Sequence, residues 1–95
     1  MHVISRKMLR EFWERHPDSA GPLARWFKIM HRHEFTNFES LGATFPTVDK
    51  VGDFIVFNIG GNKYRLITVI HFNRGKVYIR DVLTHQEYNR GAWKV

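Results

Sequence analysis

A chain of 95 residues has material for one domain and one core, and its 43% hydrophobic and 25% charged composition is that of a folded globular protein, not a disordered one. No apolar run approaches the roughly 18 residues of a membrane span, the opening MHVISRKMLREFW lacks a secretory signal's apolar stretch and cleavage site, and zero cysteines exclude disulfides and thiolate–metal sites. Fifteen Lys and Arg against nine Asp and Glu leave a formal charge of +6, so the expected partner is a polyanion, nucleic acid first, and the expected setting is the cytoplasm with no membrane contact.

In chain order, His2 to Ile4 is short and β-branched and reads as an edge strand. Ser5 is placed to cap RKMLREFWERH, in which Met8, Leu9, Phe12 and Trp13 form one apolar stripe at helical spacing. Pro17 stops that helix. Asp18 or Ser19 is placed to cap the next, Pro22 suits its first turn, and Leu23, Trp26, Phe27 and Met30 repeat at i, i+3, i+4 and i+7. The two helices should form one layer, with Trp13, Trp26 and Phe27 in the core. Thr36 to Gly52 has no sustained period and reads as a loop with one helical turn near Phe38–Leu41. From Phe54 the period is two: FIVFNI, KYRLITVIHF and KVYIRDVL are strands, and GGN and NRG are turns. The expected fold is α+β in the order β-α-α-β-β-β, a single domain over 1–95 with two helices on one face of a twisted antiparallel sheet.

Register locates the chemistry. With Arg74 and Gly75 as a two-residue loop, Phe72 faces Val77, Ile70 faces Ile79, Thr68 faces Asp81 and Leu66 faces Leu83, and this mostly apolar set should pack on the helices. Ile55, Phe57 and Ile59 join it. The opposite face then collects Arg65, Ile67, Val69 and His71 from one strand and Tyr78, Arg80, Val82 and Thr84 from the next, with Val56 and Asn58 beside them. Lys63 and Lys76 extend this surface at its two ends. Arginine makes bidentate phosphate contacts, and tyrosine and histidine offer flat rings to unpaired bases.

The last strand runs into THQEY, residues 84–88. Cutting RNA without a metal requires removing the 2′-hydroxyl proton, placing positive charge beside the phosphorane, and protonating the leaving 5′-oxygen. Two arginines, His85 and Tyr88 supply those functions within one small region, Arg65 lying opposite Thr84 in the expected register. No metal and no cofactor are expected. His31, His33 and Glu34 look like a ligand cluster, but helical positions two apart point in nearly opposite directions and no second ligand pair follows. IGGN lacks the GK[ST] of a phosphate loop.

The combination FNIGGNKYRLITVI…VYIRDVLTHQEY, together with the opening helix pair, resembles the HigB-type toxins of bacterial toxin–antitoxin systems, within the RelE superfamily of mRNA interferases. The resemblance spans most of the chain. It implies a helix layer on a twisted sheet and endonucleolytic cleavage of mRNA being read on the ribosome. It also implies neutralisation by a helix-turn-helix antitoxin of the HigA type. By position it places the basic sheet residues on Lys63, Arg65 and Arg80 and the acid–base element on His85 and Tyr88, with Glu87 nearby; His71, Lys76 and Tyr78 would guide RNA. Where relatives often carry an aromatic residue or histidine, this chain has Asp81, which the expected register buries opposite Thr68. Two other classes remain open at this stage: a toxin of the same fold that acts on gyrase by protein contact, and a non-catalytic RNA-binding module.

Overall fold

The computed structural model describes residues 1–94; Val95 of the expected 1–95 domain lies outside the described residues. The elements are β1 (His2–Ile4), α1 (Lys7–Arg15), α2 (Ala20–Arg32), α3 (Phe38–Thr44), β2 (Asp49–Val51), β3 (Phe54–Ile59), β4 (Tyr64–His71), β5 (Lys76–Thr84) and α4 (His85–Arg90). The five strands form one sheet in the order β1-β5-β4-β3-β2. All neighbours are antiparallel except β1, which runs parallel to β5. The α+β class is as expected, and the helices do pack on one face, but the sheet is mixed.

Leu9 and Phe12 of α1 and Leu23, Trp26 and Met30 of α2 are buried against Ile55, Phe57, Ile59, Leu66, Val77 and Ile79 of the sheet. Trp13 and Phe27 pack at the edge of this core, partly exposed. Burying a side chain of this size contributes about 1.5–3 kcal/mol each, so this layer holds most of the stability. The Met1 ammonium donates to the carbonyls of Met30 and His33 at 2.8 and 2.9 Å and pairs with Glu34 at 3.3 Å, placing positive charge at the C-terminal end of α2.

The expected caps are not used. Ser5 takes a left-handed conformation (φ 71°), and no side chain caps α1. Ser19 Oγ donates backwards to the His16 carbonyl (2.7 Å), while the Asp18 carboxylate accepts from Lys63 Nζ (3.0 Å) and Tyr64 Oη (2.6 Å). Between Pro46 and Gly52, a stretch too short to show a period folds as β2. The helical turn near Phe38 extends to Thr44 behind an Asn37–Ser40 capping box.

The hairpin register needs correction in two places. Residues 72–75 form a four-residue connection, a tight turn at Phe72–Arg74 followed by Gly75 at φ 63°, so Ile70 pairs with Val77 and His71 with Lys76. That two-residue shift leaves each side chain on its expected face. A bulge at Arg80 then inserts one residue, since Thr68 pairs with Ile79 but Ile67 with Asp81. Beyond it the faces exchange: Val82 joins the helix-side core, while Asp81 and Leu83 turn to the other face. Asp81 is therefore not buried opposite Thr68. It is half-exposed, and its Oδ1 accepts from the Val82 N–H at 2.9 Å.

Candidate active site

The sheet face away from the two main helices is not an open surface. Val56 of β3, Ile67 of β4 and Leu83 of β5 give it an apolar centre, and the chain after β5 folds back over that centre. The reason is local. Thr84 accepts from the Glu87 N–H (3.2 Å) while Glu87 accepts from the Thr84 N–H (2.9 Å), so THQE is a capping box that starts α4 rather than a strand end. That backbone donation holds the Glu87 carboxyl below its ordinary value, which makes Glu87 a structural cap that stays ionised. Gly91 ends α4 in a left-handed conformation, and Trp93 drops onto the apolar centre, 8% exposed.

Trp93 organises what surrounds it. Its ring stacks on Tyr88 (centroids 5.0 Å apart, planes at 15°), meets Phe54 edge-on at 5.6 Å, and its Nε1 donates to the Tyr88 carbonyl at 2.9 Å. The Arg65 guanidinium lies 5.3 Å from the Tyr88 ring centroid, and the Arg80 guanidinium 5.6 Å from that of Phe54. The two arginines thus sit on one face of the sheet at the ends of a continuous contact chain, Arg65–Tyr88–Trp93–Phe54–Arg80. Sequence reasoning missed Trp93; the signal was a tryptophan five residues past the THQEY element, following a helix-ending glycine.

Arg65 pairs across the sheet with Asn58 and Leu83 and is itself 8% exposed. Its Nη1 donates to the carbonyls of Asn62 (3.3 Å) and Tyr64 (3.1 Å), and its Nη2 to Asn62 Oδ1. These bonds use three of a guanidinium's five N–H donors and leave two for a ligand, in a fixed orientation. Beside it opens a cleft of about 470 Å³, lined by residues 46–49, Val56, Asn58, Arg65 and Tyr88. The Tyr88 ring is thus in contact with both an indole and a guanidinium, which fixes it at the wall of the cleft.

His85 opens α4. Its backbone N–H donates to the Lys63 carbonyl (3.0 Å), and its imidazole is half-buried, with a buried Nδ1 that makes no hydrogen bond. Lys63 is drawn to the helix side by its ion pair with Asp18, away from the Arg65 cleft. His71, Lys76 and Tyr78 share the face of Arg65 but cluster at the far end of it, His71 meeting Tyr78 edge-on at 5.3 Å. Six residues of strand, about 20 Å, separate them from Arg65. On the flank of α4, Asp81, Leu83, Glu87, Arg90 and Trp93 line a second cleft, where burial pushes the Asp81 carboxyl above its ordinary value and Glu87 adds to the effect. Among the described residues no group of three or more His, Cys, Asp or Glu is arranged to hold a metal ion.

A helix layer behind a mixed five-stranded sheet, with Arg65 and Tyr88 lining a cleft on the front, fits the RelE-like fold class. The profile of the HigB toxin family, described as a RelE-like toxic component of a toxin–antitoxin system, matches residues 19–91. The chain is 36% identical over 92 residues to the mRNA interferase toxin HigB of Escherichia coli K12, covering 94% of this chain and 88% of that relative. Identity and coverage are the same for the mRNA interferase HigB of Shigella flexneri. The mRNA interferase HigB of E. coli O6:H1 (strain CFT073) is 26% identical over 93 residues, 95% of this chain and 90% of its own. The chain belongs to the HigB toxin family.

Proposed function

We propose that this toxin is an mRNA interferase, an endoribonuclease that cleaves mRNA during translation by attack of a 2′-hydroxyl on the adjacent phosphate. The observation that carries the mechanism is the anchored Arg65 guanidinium, with two donors left over, lying over the Tyr88 ring of the helix that begins with His85. The 2′-oxygen forms a bond to phosphorus as its proton passes to a base, and the bond to the 5′-oxygen breaks as that oxygen receives a proton. The products are a 2′,3′-cyclic phosphate and a free 5′-hydroxyl. Arg65 and Arg80 balance the charge that builds on the phosphorane, and His85 and Tyr88 carry the protons. His71, Lys76 and Tyr78 guide the strand further along the face, while Lys63 contributes through the field around the turn.

The setting is the ribosome in the cytoplasm; among the described residues no helix is long and apolar enough to cross a membrane. A helix-turn-helix antitoxin of the HigA type holds the toxin inactive. Induction of the toxin followed by sequencing of RNA ends should reveal new 5′-hydroxyl ends within translated mRNA, and Arg65→Ala should reduce them about 10²–10³-fold. Induction that arrests growth with intact mRNA and broken DNA would replace this reading with gyrase poisoning. Salt-sensitive RNA binding without new ends would leave only a binding module.

A further inference from the structure

The cleft beside Arg65 holds a group that phosphate chemistry cannot use. Asp49 of β2 pairs with Val56, and Asn58 lies two residues further along β3, where it pairs with Arg65. Paired residues project to the same side of a sheet, so the Asp49 carboxylate and the Asn58 amide share the face of Arg65 and line the same cleft. Neighbouring strands are about 4.8 Å apart and two residues span about 7 Å, so the two positions stand about 8 Å apart on the diagonal above the apolar Val56, close enough for both side chains to converge on one base. Asp49 Oδ1 accepts from the Lys50 N–H at 2.8 Å, which fixes the rotation of the carboxylate and leaves its second oxygen as an outward acceptor. In a protein of net charge +6, an exposed carboxylate in the same cleft as the arginine repels the RNA backbone. What it accepts is an N–H.

We propose that Asp49 and Asn58 form the edge-reading wall of a nucleobase subsite that selects a base bearing an exocyclic amine and disfavours uracil. This rests on the reading of the protein as an RNA-cutting toxin. Adenine, cytosine and guanine each carry an NH₂ donor for the carboxylate. Uracil offers one N–H flanked by two carbonyl oxygens, which the carboxylate repels. Asn58 carries both donor and acceptor and fits the neighbouring position on any of the three amine-bearing bases. Arg65 fixes the phosphate end, so the distance from the cut to the read base is set by the protein.

The test measures cleavage rates of mRNAs in a reconstituted translation reaction, each position around one cut site varied through A, C, G and U. Wild type should show one position at which U is cut about tenfold more slowly than the other bases, the scale of one well-made base-edge contact. Asp49→Ala should bring the four bases to near parity at that position, by slowing the other three, and Asp49→Asn, which keeps an acceptor without the charge, should fall between. Circular dichroism checks that both variants fold. Wild-type indifference to U at every position, or an unchanged U penalty in Asp49→Ala, would overturn the subsite while leaving cleavage itself established. Failure of wild type to cut any of the mRNAs would remove the parent reading, and the subsite with it.

Discussion

Replacing Arg65 tests the centre of the argument. Arg65→Ala removes a guanidinium that makes three hydrogen bonds within its own turn and faces the cleft with its remaining donors. Losing one preorganised donor to a developing oxyanion costs about 10²–10³ in rate, or roughly 2.7–4 kcal/mol of barrier. Arg65→Lys is the sharper variant. An ammonium has three donors and no planar fork. It cannot satisfy the Asn62 and Tyr64 carbonyls and Asn62 Oδ1 and still meet a phosphate. Arg65→Lys should therefore stay within about tenfold of Arg65→Ala instead of returning to wild type, because one side chain has to do both tasks. Single-turnover cleavage of a translated mRNA, with folding checked by denaturant midpoint, gives both numbers. A folded Arg65→Lys protein cutting at the wild-type rate would refute the reasoning, since positive charge alone would then suffice.

Three further outcomes follow from other parts of the structure. Trp93→Phe keeps a ring against Tyr88 and Phe54 but loses the hydrogen bond to the Tyr88 carbonyl, and should cost about 1 kcal/mol of stability; Trp93→Ala should cost about 3–5 kcal/mol and lower kcat more than it raises KM, because Tyr88 loses its backing. Thr84→Ala removes the α4 cap and should cost about 1 kcal/mol at pH 7 by urea denaturation. The Glu87 carboxylate accepts from the Thr84 backbone N–H, which alanine keeps, so its share of the cap is read with Glu87→Gln: because Glu87 is depressed in the folded state, that share is full above its ordinary value of 4.5 and is lost as pH falls through its lower folded value, and the Glu87→Gln penalty should shrink in acid. Asp81→Asn keeps the acceptor for the Val82 N–H without the disfavoured charge. Since the Asp81 carboxyl is raised, the wild type matches the variant below 3.8 and falls behind as pH rises through the raised value, a gain for Asp81→Asn of less than about 1 kcal/mol at pH 7 given its partial exposure.

The helix pair and the three long strands were legible because Leu9, Phe12, Leu23, Trp26 and Met30 repeat at helical spacing and Ile55, Phe57 and Ile59 at strand spacing. Periodicity also placed Arg65, Tyr78 and Arg80 on the face opposite the helices, because a two-residue error in the turn preserves parity. It failed beyond Arg80, where one bulged residue reverses every later side chain and no pattern in RDVL announces the insertion. It failed again at THQEY, where the Thr84–Glu87 pair is a helix-start signal that strand alternation obscured. The apolar Ile67, Leu83 and Val56 then had a cover that a free sheet face does not supply. β2 is three residues long and offers no period at all, which is why Asp49 did not figure among the candidate residues.

The apolar group on the sheet front is small and separate from the main core: Val56, Ile67, Leu83 and Trp93 on one side, and the whole helix-backed interior on the other. Segments with few buried neighbours open at lower free energy than the domain as a whole. Mild urea should therefore release α4 and the closing turn while the helices and strands still stand, silencing the toxin well before its far-ultraviolet signal changes. A protein that can be disarmed by loosening its last dozen or so residues gives an inhibitor a cheaper target than the fold itself.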